Sequence, residues 1–139
     1  MSHTEAKPIP DEFQDLFERK SFANFVTLMP DGSPHVTPVW VDYDGEHVLI
    51  NTAEGRRKER NISHDPRVAV SILDPENPYR YLSVRGEVAE MEKDGAVEHI
   101  DKLAQRYMDV EEYPYKDQDE GDRVIVKIRP EHVITVDQT

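Results

Sequence analysis

The chain has 139 residues and no cysteine, and 29 acidic against 17 basic residues give it a net charge of −12. A charge of this sign and size excludes general binding to nucleic acids or to anionic membrane surfaces. No apolar run approaches the roughly 20 residues of a membrane helix, and the first residues lack the hydrophobic stretch of a signal peptide, so we expect a cytoplasmic protein outside the membrane.

The N-terminal half predicts a flexible terminus, a short helix and three strands. Phe13, Leu16 and Phe17 have the spacing of one helical face. Residues 30–33 have turn chemistry, because proline presets one φ and glycine accepts a positive one, and Asp44-Gly45 is a strong hairpin signal. We predict a loose terminus at residues 1–8, a helix around Phe13–Phe17, and strands at 22–29, 35–43 and 47–52.

The C-terminal half alternates strands with two helical patterns. Pro75 and Pro78 mark a loop, Gly86 marks a bulge inside a long strand, and Pro130 separates two closing strands. We predict helices at 56–64 and 95–107, an acidic loop at 109–121, and strands at 67–73, 81–92, 124–128 and 132–136. Six or seven mostly antiparallel strands with two or three helices predict one mainly β domain, residues 1–139, built as a barrel or a sandwich.

A basic cluster at the start of the helix at 56–64 is the sharpest local feature. Arg56, Arg57, Lys58 and Arg60 follow Gly55 in a chain that is otherwise strongly acidic. The N-terminus of a helix favours anions, and arginine binds phosphate with two parallel hydrogen bonds. The cluster predicts a phosphate site, and the alternative is a solvated helix face paired with Glu54 and Glu59.

Two further stretches combine proline with aromatic residues. Pro38 inside a predicted strand marks a sheet edge, a bulge, or a place where a ligand lies against the backbone. Trp40, the only tryptophan, is interpreted as a core or interface residue in preference to a residue that stacks on a cofactor. The segment 77–81 sets tyrosines beside Arg80, which suits either a planar ring or simple loop anchoring.

The chain shows no catalytic apparatus built from side chains alone. The histidines lack the spacing of a metal site, cysteine is absent, and the serines show no nucleophile-elbow pattern. Neither a dinucleotide fingerprint nor a Walker motif occurs. If the protein is an enzyme, a cofactor does the chemistry.

Four segments in order, DGSPHVTPVW, GRRKERN, DPRVAV and NPYRYLSVRG, resemble the pyridoxamine 5′-phosphate oxidase-like superfamily. More narrowly, they resemble its small branch of deazaflavin-dependent enzymes. The resemblance is dense from Phe22 to Val88. It implies an FMN-binding-like split β-barrel of six or seven antiparallel strands, and a homodimer with two cofactor sites at the subunit interface.

The same resemblance implies cofactor-binding residues, but it assigns no catalytic residue and no metal ligand. Arg56 and Lys58 match the phosphate motif best. The resemblance puts the phosphate near Arg56, Arg57, Lys58 and Asn61, and it puts the ring system over Thr37, Pro38 and Val39. The third strand would place Asn51 and Thr52 beside the cofactor, and the second subunit would contribute Tyr79 and Tyr81.

The activity implied by the resemblance is transfer of a hydride from reduced coenzyme F420 to an unsaturated small molecule, such as an activated alkene, an enone or a tetrapyrrole. An FMN-dependent oxidoreductase of the same family is one alternative, because FMN carries the same phosphate. A non-catalytic protein that binds flavin, F420 or haem is the other. We do not expect pyridoxamine phosphate oxidase activity itself, because the oxidases have a further C-terminal segment with an arginine that holds the product.

The acidic residues are spread along the chain, not gathered in a tail. Such a surface stays soluble in high salt, where screening removes its self-repulsion. A halophilic source is therefore our hypothesis, and an ordinary acidic mesophilic protein is the alternative.

Overall fold

The computed structural model describes residues 7–138, which form one seven-stranded antiparallel sheet with helices packed against it. The helices are a first 3₁₀ helix (Asp11–Phe17), α1 (Arg57–His64), α2 (Ala96–Met108) and a short 3₁₀ helix (Lys116–Gln118). The strands are β1 (Ala23–Leu28), β2 (Pro34–Val39), β3 (Asp42–Tyr43), β4 (Val48–Ala53), β5 (Arg67–Asp74), β6 (Asn77–Glu92) and β7 (Arg123–Asp137). The predicted mainly β split barrel is confirmed.

The sheet runs in the order β2-β1-β5-β6-β7-β4-β3 and curls around its own core. Alternate residues of each strand point inward, as a strand with one buried face requires. Phe25 lies opposite Val70, and Val70 lies opposite Val84. These side chains and Ile50 of β4 and Ile128 of β7 are almost completely buried, so the core joins both halves of the sheet.

The outer face of β2, β1, β5, β6 and β7 leaves apolar side chains exposed. Val36 lies opposite Val26, and Ile134 lies opposite Ser83. Val36 is 60% exposed and Ile134 is 55% exposed. We call this surface the open sheet face, and its exposed apolar side chains are those of Val36, Leu73, Tyr79 and Ile134.

The predicted strand at 35–43 is wrong as a single strand, because it divides into β2 and β3 at opposite ends of the sheet order. Val41 lies between them, and its backbone groups bond to side chains of α2 instead of to a neighbouring strand. The Tyr107 hydroxyl accepts from the Val41 N–H at 3.2 Å, and Arg106 donates to the Val41 carbonyl at 3.2 Å. The chain therefore crosses from one sheet edge to the other beneath α2. Pro38 lies on the edge strand β2, where its missing N–H leaves no gap in a ladder.

The predicted loop around Pro75 and Pro78 is also wrong, because only Pro75 and Glu76 separate β5 from β6. Side-chain hydrogen bonds close this turn: Asp74 accepts from the Glu76 N–H at 2.8 Å, and Asn77 accepts from the Tyr79 N–H at 3.1 Å. In such Asx turns, the side chain of Asp or Asn bonds to the backbone two residues further on and so stabilises a tight turn. Tyr79 and Tyr81 therefore lie on a strand.

The two predicted closing strands are one continuous strand, β7, in which Pro130 is buried. Pro130 lies opposite Gly86, where the register between β6 and β7 shifts, so the predicted bulge at Gly86 is confirmed. A Cβ at Gly86 would overlap the Arg129 carbonyl oxygen. Glycine at this place lets the two backbones approach closely, so the strand bends without breaking.

The predicted helices at 56–64 and 95–107 and the hairpin at Asp44-Gly45 are confirmed. Of the predicted loose terminus at residues 1–8, residues 1–6 lie outside the described residues, and the Lys7 N–H donates to the Pro130 carbonyl at 2.6 Å. No helix within residues 7–138 is both long and apolar enough to cross a membrane.

Candidate functional site

A pocket of about 200 Å³ opens where the end of β2, the start of α1, one face of α2 and the start of β7 meet. One side of it is basic and the other is apolar and aromatic. Its lining residues are Phe22, Pro38, Val39, Trp40, Asn51, Arg56, Lys58, Ile100, Leu103, Tyr113 and Arg123.

Three cations form the basic side of the pocket. Gly55, with a φ of 94°, turns the chain from β4 into α1 and places Arg56 at the N-cap and Lys58 in the first turn. Arg123 begins β7, and its side chain is only 5% exposed. Cations that converge at the N-terminus of a helix create an anion-binding site.

The Lys58 ammonium group makes no hydrogen bond or ion pair with any other residue between 7 and 138. Burial lowers the pKa of its ammonium group, and the positive charges of Arg56 and Arg123 lower that pKa further. A half-buried cation without a counter-ion destabilises the fold on its own. An anionic ligand in the pocket would supply the missing partner.

The alternative interpretation of the cluster, a helix face paired with Glu54 and Glu59, does not describe the structure. Glu54 pairs with Lys93 at 3.1 Å. Glu59 accepts hydrogen bonds from the Gly55 N–H and the Ser63 hydroxyl, both at 2.8 Å. Both carboxylates are engaged away from Lys58, which leaves the pocket side of α1 positive.

Asn51 belongs to a chain of hydrogen bonds that reaches Arg123. The side-chain oxygen of Asn51, Oδ1, accepts from Arg123 Nε at 2.9 Å. Its side-chain nitrogen, Nδ2, donates to the Ala96 carbonyl at 2.8 Å and lies 3.0 Å from His99 Nδ1. Because that amide nitrogen is a donor, His99 Nδ1 accepts and His99 Nε2 donates to Asp42 at 3.1 Å. Asn51 therefore fixes the direction of the Arg123 guanidinium.

Aromatic side chains form the apolar side of the pocket. Trp40 stacks on Tyr107 with centroids 5.1 Å apart and planes 8° from parallel, and Tyr113 meets Trp40 edge-on at 5.9 Å. Arg123 lies over the Tyr113 ring at 5.1 Å, which ties the two sides together. Trp40 is thus packed against α2, and it also lines the pocket together with Pro38 and Val39.

Four of the predicted residues lie behind the pocket and not in its lining. Asn61 is buried and donates to Thr27 Oγ1 at 2.9 Å, and Arg57 reaches Asn61 at 3.4 Å. Thr37 and Thr52 point into the barrel, and in the part of the chain that the structure describes their hydroxyl oxygens are buried without a partner. Buried hydroxyls without partners are rare.

Tyr79 and Tyr81 lie on the open sheet face, away from the pocket of their own chain. Tyr79 is 65% exposed, and Tyr81 lies opposite Leu73 and Val136. The structure thus brings together Pro38, Val39, Asn51, Arg56 and Lys58, and it leaves these two tyrosines outside the pocket of their own chain.

Sequence reasoning missed Arg123, Asp119 and Tyr113. Asp119 accepts from Arg56 at 3.0 Å and from Arg123 at 3.2 Å. Both Asp119 and Tyr113 lie in the acidic segment between α2 and β7, where their neighbours are also charged or aromatic. Arg123 had one signal, because it directly precedes the apolar residues Val124, Ile125 and Val126 of its strand.

Comparison with known families and structures gives consistent results. The family model described as pyridoxamine 5′-phosphate oxidase matches residues 9–137. A structure named F420 reductase is 38% identical, covers 91% of this chain and 98% of its own, and superposes with a TM-score of 0.78. A conserved hypothetical protein from Mycobacterium tuberculosis is 25% identical, with coverage of 99% and 89% and a TM-score of 0.73.

A more distant structure shares the fold alone. General stress protein 26 from Bacillus anthracis is 16% identical, with coverage of 91% and 92% and a TM-score of 0.69. A comparison with curated protein sequences gave no match.

Proposed function

Because the chain belongs to the pyridoxamine 5′-phosphate oxidase family, we propose that it is an oxidoreductase that binds coenzyme F420 in the pocket beside α1. The observation that carries the proposal is Lys58, a half-buried cation that has no counter-ion among the described residues and lies beside Arg56 and Arg123. The 38% identity to a structure named F420 reductase favours F420 over FMN.

The residues of the pocket fit a cofactor whose side chain carries a phosphate at a distance from a planar ring. Arg56, Lys58 and Arg123 would hold the phosphate, as cations at a helix N-terminus do. Pro38, Val39 and Trp40 would lie beside the ring, where apolar contact excludes water from one side of it.

The bound deazaflavin would supply the hydride, and the substrate would be an unsaturated small molecule. The protein contributes orientation and shielding. The hydrogen bond that Arg123 donates to Asn51 and its cation–π contact with Tyr113 keep the anion site rigid, so a ligand held there has few orientations. The positive charges of Lys58 and Arg56 would hold the phosphate of the ligand and leave its ring against the aromatic side of the pocket.

We further propose a homodimer formed through the open sheet face. The pocket of one chain, about 200 Å³, is smaller than the roughly 300–1,000 Å³ of ordinary ligand pockets. The exposed apolar residues Val36, Tyr79 and Ile134 suit an interface in which the same surface of two copies meets. In such a dimer, Tyr79 and Tyr81 would approach the site of the second subunit.

The test is the ligand that the native protein retains. Absorbance and mass analysis of the purified protein should identify a deazaflavin, and reduced F420 should be oxidised when an enone or another activated alkene is added. Retained FMN would favour an FMN-dependent oxidoreductase. Retained ligand without turnover of any such acceptor would favour a binding protein.

A further inference from the structure

Asp119 sits between two of the three cations of the pocket. Its carboxylate accepts from Arg56 Nη2 at 3.0 Å and from Arg123 Nη1 at 3.2 and 3.3 Å through its two oxygens. The side chain of Asp119 is only 6% exposed. A carboxylate is therefore already bound by the groups that would bind the phosphate of a ligand.

We propose that Asp119 is a built-in counter-anion that competes with the phosphate of the ligand for Arg56 and Arg123 and so sets the affinity of the pocket for anions. This inference rests on the proposed function of the pocket, and it adds the residue that tunes its affinity. A ligand phosphate must share guanidinium N–H groups with Asp119 or displace it, and its negative charge is repelled by the carboxylate.

The opposite role, in which Asp119 positions the arginines for the ligand, is disfavoured for Arg123 by its other contacts. Arg123 keeps its bond to Asn51 at 2.9 Å and its contact with the Tyr113 ring at 5.1 Å. The backbone of Arg56 is held at the N-cap of α1, since its N–H donates to the Ala53 carbonyl and its own carbonyl accepts from Arg60. Arg123 therefore does not depend on Asp119 for its place, whereas the Arg56 guanidinium has Asp119 as its one side-chain partner among residues 7–138.

The position of Asp119 in the chain allows its side chain to move when a ligand phosphate binds. It follows the short 3₁₀ helix Lys116–Gln118 in the segment between α2 and β7. Lys116 pairs with Asp101 at 2.7 Å, and the Tyr113 N–H donates to the same carboxylate at 2.9 Å. The segment is therefore anchored to α2 upstream of Asp119, so a shift of the Asp119 side chain would not release it.

The experiment compares Asp119→Asn with Glu120→Gln, which removes one charge from an exposed neighbour in the same segment. Quenching of Trp40 fluorescence gives dissociation constants for F420, FMN and riboflavin, which lacks the phosphate. Asp119→Asn should bind F420 and FMN about tenfold more tightly or better, while its affinity for riboflavin stays unchanged. Glu120→Gln should bind all three as the wild type does.

Three results would overturn the inference. Weaker binding of the phosphate ligands by Asp119→Asn would show that Asp119 positions the arginines, and equal tightening in Glu120→Gln would show only a long-range charge effect. Tighter binding of riboflavin as well would place the effect outside the phosphate site. If Asp119→Asn does not fold, Asp119→Ser is measured under the same criteria. Failure of the proposed function is distinguishable, because it is read from the wild type alone, which would then bind no F420 or bind it without turnover.

Discussion

At the scale of single residues, the charged Lys58 side chain destabilises the folded state. Its lowered pKa means that the folded state binds its proton less well than the unfolded state does, so at neutral pH the charged form opposes folding. Lys58→Met keeps the length of the side chain and removes this penalty. The variant should be at least as stable as the wild type without ligand at pH 7, and should bind F420 roughly 10- to 150-fold more weakly.

Thermal melts and Trp40 quenching measure the two effects separately. Lys20→Met, on an exposed lysine before β1, is the matched control and should change neither quantity. Loss of apo stability in Lys58→Met without loss of affinity would show that the lysine is structural.

Residue chemistry also explains which site residues could be predicted from the sequence. Arg56 and Lys58 stand out because they are cations at a helix start in an acidic chain, and that signal is local. Arg123 becomes a pocket residue only because β7 pairs with β4 and brings it beside Asn51, 72 residues away along the chain. A contact of this range has no local pattern, so it required the fold.

At the scale of secondary structure elements, Asp42 ties β3 to α2. His99 bonds to its carboxylate at 3.1 Å, and Arg106 and Lys102 pair with it at 3.2 and 3.4 Å. Burial opposes ionisation, but the His99 bond and the two positive charges prevail and hold the pKa of Asp42 well below its ordinary value. The folded state therefore favours the carboxylate, and Asp42 contributes stability that is lost as pH falls below about 4 toward that lowered value.

Asp42→Asn removes the charged partner of His99 and of the largely buried Arg106 and should lower the free energy of unfolding at pH 7 by about 1.5–3 kcal/mol. Its stability should also fall less steeply than that of the wild type between about pH 4 and pH 2. Urea unfolding at several pH values measures both. Asp117→Asn, on an exposed carboxylate of the short 3₁₀ helix Lys116–Gln118, serves as control. Equal pH dependence in wild type and Asp42→Asn would contradict the assignment.

Local chemistry also explains which elements the sequence predicted correctly. The hairpin at Asp44-Gly45 and the bulge at Gly86 were predictable because one glycine decides each of them. The division of 35–43 into β2 and β3 was not predictable, because it depends on hydrogen bonds from the Val41 backbone to Tyr107 and Arg106 of α2. The residues of the segment itself do not indicate that α2 will bond to its backbone.

At the scale of the whole molecule, the open sheet face predicts the mode of assembly. Ile134→Glu places a charge within this face and should convert the proposed dimer to a monomer, measured by light scattering at micromolar concentration. Val97→Glu is the matched control, because Val97 is also exposed, at 46%, but lies on α2. A wild-type monomer, or a dimer that survives Ile134→Glu, would contradict the proposed interface.

The charge of the whole chain predicts its response to salt. With 29 acidic and 17 basic residues, repulsion between carboxylates opposes folding and is screened by salt within a Debye length of about 3 Å at 1 M. The melting temperature should therefore rise from low to molar potassium chloride. A flat or falling melting temperature would remove the hypothesis of a halophilic source.

The central claim, that the pocket beside α1 binds F420 through its three cations, is tested most directly by titrating the wild type and Arg56→Ala with F420 and with FMN. Trp40 lines the same pocket, so its fluorescence reports occupancy. We predict saturable quenching by F420, tighter binding of F420 than of FMN, and a loss of roughly 10- to 150-fold in Arg56→Ala, with Arg67→Ala unchanged as an exposed control. Equal or tighter binding of FMN, or normal binding of F420 by Arg56→Ala, would contradict the claim.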